Sequence, residues 1–243
     1  MSAELSNDSF IGRLLEELSW EKATHYRHGG RRRENVLTAE VLLPLSYLPR
    51  DLFLGEVLRS AHGADDARRV VVSEIEAADV TLLPDQLEPA PDVRVQPDAS
   101  FSMPASYVLV EAKRNGRASF QPSQLAKEYL ALKAAAGERT PMLFLILGAP
   151  PPVAVRGHGR MAPEDAVAAY LPLFFGEPAV GADVVETFRN DVRESIAWTT
   201  WADIAEVVAR QLEVFRGFGH PETVERMVER LAESVVSAVR WHA

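Results

Sequence analysis

The sequence predicts an α/β fold in which a mixed β-sheet is flanked by helices. Three observations carry that expectation. From Val93 to Leu147 the chain reads strand, strand, helix, strand, and elements of both kinds in that order pack as layers around a sheet. The run Met142-Leu143-Phe144-Leu145-Ile146-Leu147 is apolar throughout and of strand length, as a strand covered on both faces should be. Helical apolar spacing marks both ends of the chain, at residues 4–28 and 223–241.

Taken in order, Leu5, Phe10, Ile11, Leu14, Leu15 and Leu18 give residues 4–28 an amphipathic helix, with Asp8 or Ser9 as its cap. The stretch from His25 to Gly30 reads as its frayed end and a loop; His25 and His28 are three apart but have no third ligand nearby in sequence. Glu34 opens a second helix that buries Leu37, Val41, Leu42 and Leu45. Pro44 and Pro49 limit or kink it, and a further helix runs from Arg50 to Ala61 before Gly63. Val70-Val71-Val72 predict a strand over Arg69 to Ala77, and Asp79 to Leu83 a short one.

A proline-punctuated connection spans Pro84 to Pro91. Val93 to Met103 reads as one strand carrying Asp98, with Tyr107 to Arg114 as its hairpin neighbour and Arg114-Asn115-Gly116-Arg117 as turn chemistry. A helix starts at Pro122, a favoured first position, and runs through Leu125, Tyr129 and Leu132 to Gly137. Gly148 to Glu164 is loop-like and residues 163–176 are helical. Glu194 to Trp201 is a late strand and Asp203 to Phe215 the helix behind it. Thr223 to Trp241 closes the chain as an amphipathic helix through Val224, Met227, Val228, Leu231, Val235 and Val239. Trp198 and Trp201 read as core residues.

Composition bounds the function. A chain of 243 residues with 47% hydrophobic content can bury a full core as one large domain. No apolar run approaches the roughly 18 residues that span a bilayer, and the first twenty residues lack the pattern of a secretory signal; the expected location is cytoplasmic, with no membrane partner. The absence of cysteine excludes disulfides and thiolate metal sites. A net charge of -9 argues against non-specific coating of nucleic acid. It leaves room for a local basic groove, since Arg31-Arg32-Arg33, Arg68-Arg69 and Lys113-Arg114 with Arg117 are clustered in the first part of the chain.

One stretch resists a purely structural reading. Strands disfavour acidic residues and lysine, yet Glu111 and Lys113 end the apolar run Tyr107-Val108-Leu109-Val110. Residues two apart in a strand share a face, so Glu111 and Lys113 point one way and Ala112 the other. Only four lysines occur among the 26 basic residues, and one of them stands here. A spacer of twelve residues separates Pro97-Asp98 from Glu111, and Gln124 falls in the first turn of the next helix.

This arrangement resembles the motif of the PD-(D/E)XK nuclease superfamily, with Pro97-Asp98 and Glu111-Ala112-Lys113 as its two halves. Gln124 matches a glutamine that many members carry in the following helix. The resemblance implies a restriction-endonuclease-like core, with a helical extension over 1–33, a nuclease-like domain over 34–216 and a C-terminal helix over 217–243 packed on that domain. It implies a Mg²⁺ site, with Mn²⁺ able to substitute, held by Asp98, Glu111 and the backbone carbonyl of Ala112. Superfamily members often add a glutamate from a helix before the sheet; Glu34 is the first candidate, Glu40 the second and Glu56 the third. Asp98, Glu111, Lys113 and Gln124 are the expected catalytic residues, and Arg114 and Arg117 the expected nucleic-acid contacts.

The chemistry asks for these residue types. Hydrolysis of a phosphodiester needs a water aligned opposite the leaving oxygen and positive charge on the developing anion. Hard carboxylate oxygens suit the divalent cation that supplies both. The expectation is a DNA endonuclease of bacterial restriction or phage-defence type, working as a homodimer or with a recognition or motor subunit. The alternative is a non-catalytic nuclease-like module that binds nucleic acid or a partner subunit.

Overall fold

The computed structural model describes residues 34–90, 93–113, 119–155, 159–171 and 182–243. The expected helix over 4–28, His25 and His28, and the turn carrying Arg114 and Arg117 lie outside these residues.

Among the described residues a five-stranded sheet forms the centre. Its strands are β1 (Asp79–Leu82), β4 (Ala99–Ser102), β5 (Ser106–Ala112), β7 (Thr140–Leu147) and β10 (Ile196–Thr200), side by side in that order. β4 runs antiparallel to both β1 and β5, whereas β5, β7 and β10 are parallel to one another. The sheet is therefore mixed, and helices cover both faces.

Strand alternation divides the core in two. Val108, Val110 and Ala112 of β5, with Met142, Phe144 and Ile146 of β7, face one apolar cluster. That cluster is closed by α1 (Glu34–Tyr47), α2 (Leu54–Ser60), α3 (Asp65–Glu74), α7 (Trp201–Arg216) and α8 (Glu222–His242). Leu109, Leu143, Leu145 and Leu147 face the other, which is closed by α4 (Pro122–Ala136), α5 (Pro163–Tyr170) and Val192 of α6 (Ala182–Ser195). The hairpin of β2 (Leu87–Ala90) and β3 (Val93–Val95) packs on α4 from outside. The C-terminal helix α8 packs against α1 and α7, and a hydrogen bond from buried His242 Nε2 to Glu40 Oε2 (2.9 Å) pins its end.

Local chemistry sets the boundaries. Pro122 starts α4, and Gly137 at φ 60° ends it. Thr200 and Asp203 form a reciprocal capping box that starts α7 directly at the end of β10. Gly63, at φ 77°, lets the chain pass so close to β10 that a Cβ there would stand 2.5 Å from Ile196 O.

Three expectations need correction, and one helix goes beyond them. Arg69 to Ala77 is not a strand: Asp65–Glu74 is helical, because Ala67, Val71 and Ile75 recur every four residues on the buried side. Tertiary burial outweighs the strand preference of the three valines. Val93 to Met103 is two strands rather than one; Pro97 has no N–H to donate, and the ladder breaks around it. The segment Gly148 to Glu164 contains two short strands, β8 (Val153–Val155) and β9 (Gly159–Met161), which join β6 (Ser119–Phe120) in a three-stranded sheet. Finally, α6 is a helix that the sequence reading left unassigned.

Candidate active site

The site lies at the C-terminal end of β5, where that strand outruns β4. Asp98 immediately precedes β4, and three hydrogen bonds fix it there. Its N–H donates to Val110 O (3.1 Å), its carbonyl accepts from Leu83 N–H (2.9 Å), and its Oδ2 accepts from Ala112 N–H (2.7 Å). Asp98 thus brackets Val110 and Ala112, with Glu111 between them. Leu83 makes its bond from a left-handed backbone (φ 48°), a conformation costly for a branched residue and one often kept at functional positions.

Lys113 is pinned through its backbone on two sides. Its N–H donates to Ile146 O (2.7 Å), and its carbonyl accepts from Nε1 of Trp201 (2.7 Å), which is fully buried at the start of α7. With the backbone held, the Lys113 ammonium reaches back to Glu111 Oε1. The same oxygen accepts from Gln124 Nε2 at 2.9 Å. Asp98, Glu111 and Lys113 are 8%, 4% and 7% exposed, so the electrostatics act in a largely dehydrated space.

A fifth residue belongs to this group, and the sequence reading missed it. Glu128 is one turn after Gln124 on α4 and only 2% exposed. Its carboxyl is in hydrogen-bonding contact with Glu111 and within electrostatic reach of Lys113 and Asp98. Burial first, and then the negative charge of Glu111, push its pKa well above the usual glutamate range, against the pull of Lys113. Oε2 of Glu128 is buried without a hydrogen-bond partner. In sequence it is a glutamate four residues after Gln124, beside Leu125, Tyr129 and Leu132, and only its burial sets it apart.

Glu40 and Glu56 are engaged elsewhere. Both stand on helices that cover the opposite face of the sheet; Glu40 bonds to His242, and Glu56 faces Arg59 and Arg210. Glu34 opens α1, and its side chain, like Arg114 and Arg117, lies outside the description. Arg68 is committed to backbone carbonyls of Leu58, Arg59 and Gly63 and to Asp65. A cleft of about 850 Å³ lies between α2 and α3. Its arginines are matched by Asp51, Asp65 and Asp66, so it offers no uncompensated anion site and is remote from the acidic group.

The donor set fits a hard divalent cation. Asp98 and Glu111 supply carboxylate oxygens. In a strand the N–H and C=O of one residue point to the same edge, so the Ala112 carbonyl is directed to the side where Asp98 lies. Among the described residues no three acidic or histidine side chains gather as a complete ligand cage. Mg²⁺ does not require one, since it binds through one or two carboxylates and retains several waters.

Compared with models of known protein families, with curated proteins and with solved structures, the chain has no significant match. Among the described residues no helix is long and apolar enough to cross a membrane.

Proposed function

We propose that this chain is a Mg²⁺-dependent nuclease acting on DNA, built on a restriction-endonuclease-like core, with Asp98, Glu111, Lys113 and Gln124 as its working groups. One observation carries the reading. Four polar residues that no apolar pattern accounts for meet at the end of β5, beyond its buried Val108, Leu109 and Val110.

Each group has a task. Asp98 and Glu111, with the Ala112 carbonyl, would hold the cation. When bound, Mg²⁺ supplies positive charge to the scissile phosphate and makes an adjacent water more acidic. Gln124 holds Glu111 Oε1 in place, and the indole N–H of Trp201, donating to the Lys113 carbonyl, holds Lys113. The Lys113 ammonium has three N–H donors and stands beside Glu111, where it would share its charge with a phosphate oxygen as negative charge builds there. Water would attack phosphorus and give its proton to solvent, the bond to the leaving oxygen would break with that oxygen taking up a proton, and the negative charge building on the phosphoryl oxygens would be spread over these fixed groups.

The test is cleavage of supercoiled plasmid by the purified full chain with Mg²⁺ or Mn²⁺. Asp98→Ala, Glu111→Ala and Lys113→Ala should each lower the rate by about a hundredfold or more while circular dichroism remains unchanged. Cleavage that persists in all three variants would rule the site out. The burial of Glu111 and Lys113 favours a second reading, a non-catalytic module in which the same groups form a structural ion-pair network. That reading expects DNA or partner binding with no cleavage under any divalent cation.

A further inference from the structure

Glu128 is a buried ionisable group beside the site that the proposed mechanism does not use. It stands one turn from Gln124, on the side of α4 turned to β5, and touches Glu111. A helix packed on leucines gains nothing from a carboxyl there; a leucine or methionine would fill the space without a polar atom to satisfy. Yet Oε2 of Glu128 is buried and has no partner. In folded proteins such an atom marks a bound water, an ion or a working group. Its neighbours are Asp98, Glu111 and Lys113, so its partner must enter the same small space.

We propose that Glu128 completes the cation site, with its Oε2 accepting a hydrogen bond from the water shell of a divalent cation held by Asp98 and Glu111. An indirect contact suits the geometry better than direct ligation, because no three acidic side chains converge as ligands among the described residues and Mg²⁺ keeps much of its water. Glu128 is then a positioning residue, acting through the hydrated cation and through Glu111. The inference rests on reading Asp98 and Glu111 as the carboxylates of a cation site.

The experiment is calorimetric titration of Mn²⁺ into the metal-free full chain: the native protein, Glu128→Leu, Glu128→Met and Asp98→Asn. The native protein should bind one Mn²⁺, and Asp98→Asn should lose it. Both Glu128 variants should bind about 10–100-fold more weakly, the usual cost of losing an outer partner of a metal site. Leucine and methionine both remove the acceptor while keeping the approximate volume; a thermal melt without metal shows which variant folds, and either suffices. Binding within twofold of native in a folded Glu128 variant would overturn this inference and leave the cation site standing. If the native protein itself bound no Mn²⁺, this inference and the nuclease reading would fall together.

Discussion

The two faces of the central sheet carry the same backbone and different chemistry. Toward α1, α2, α3, α7 and α8, β5 presents Val108, Val110 and Ala112, which join the larger apolar cluster. Toward α4, the same strand presents Leu109, Glu111 and then Lys113. There the apolar layer is broken by buried Glu111, Lys113 and Glu128, with exposed Gln124 bonded to Glu111 at its edge. Since neighbouring residues of one strand differ only in the face they take, the contrast is not about local propensity. One face is used to hold the fold together, and the other gives up part of that burial to assemble charge in a dry place.

Putting a charge on the wrong face should have the largest effect. Ala112 is fully buried in the apolar cluster, so Ala112→Asp leaves a carboxylate with no partner there. A loss of about 5 kcal/mol or more is expected, read as failure to give a cooperative urea transition. A smaller effect should follow from loosening the link between the faces. Trp201, in the apolar cluster, donates to the carbonyl of Lys113. Trp201→Phe removes that donor and should cost about 1–3 kcal/mol in denaturant unfolding, with weaker Mn²⁺ binding as Lys113 shifts.

The smallest effect is also the most selective, and it lies in the pH dependence of stability. The native pKa of Glu128 is raised, so the folded state holds a proton there that the unfolded chain releases at about pH 4.3. Its contribution is full below that pH and is lost as pH rises toward the raised native value. In EDTA, native protein should therefore lose stability relative to Glu128→Gln as the buffer is taken from pH 4 upward. Parallel urea midpoints for the two proteins across that range would contradict the assignment.

Much of this fold was legible in the sequence where one signal dominated. The apolar runs of β5 and β7, Pro122 and Gly137 around α4, and the periodic apolar stripe of α8 each named their element. Legibility failed where two signals competed. The three valines 70–72 favour a strand, while Ala67, Val71 and Ile75 repeat as a helix; only packing decides. Val184, Phe188 and Val192 carry a helical period through α6, but short polar residues between them mute it. The four motif residues stood out because strands and helix starts seldom need them. Glu128 did not, because a glutamate is an ordinary helix former. Its oddity is its burial, which no single sequence displays.

Whether the acidic group at the end of β5 binds a divalent cation can be seen directly. Crystals of the full chain grown with Mn²⁺ and measured at its absorption edge would show any bound ion as an anomalous peak. The account expects one peak at coordination distance from both the Asp98 and the Glu111 carboxylates, with the Ala112 carbonyl turned toward it. Well-ordered density for all three residues with no peak between them, at millimolar Mn²⁺, would contradict it.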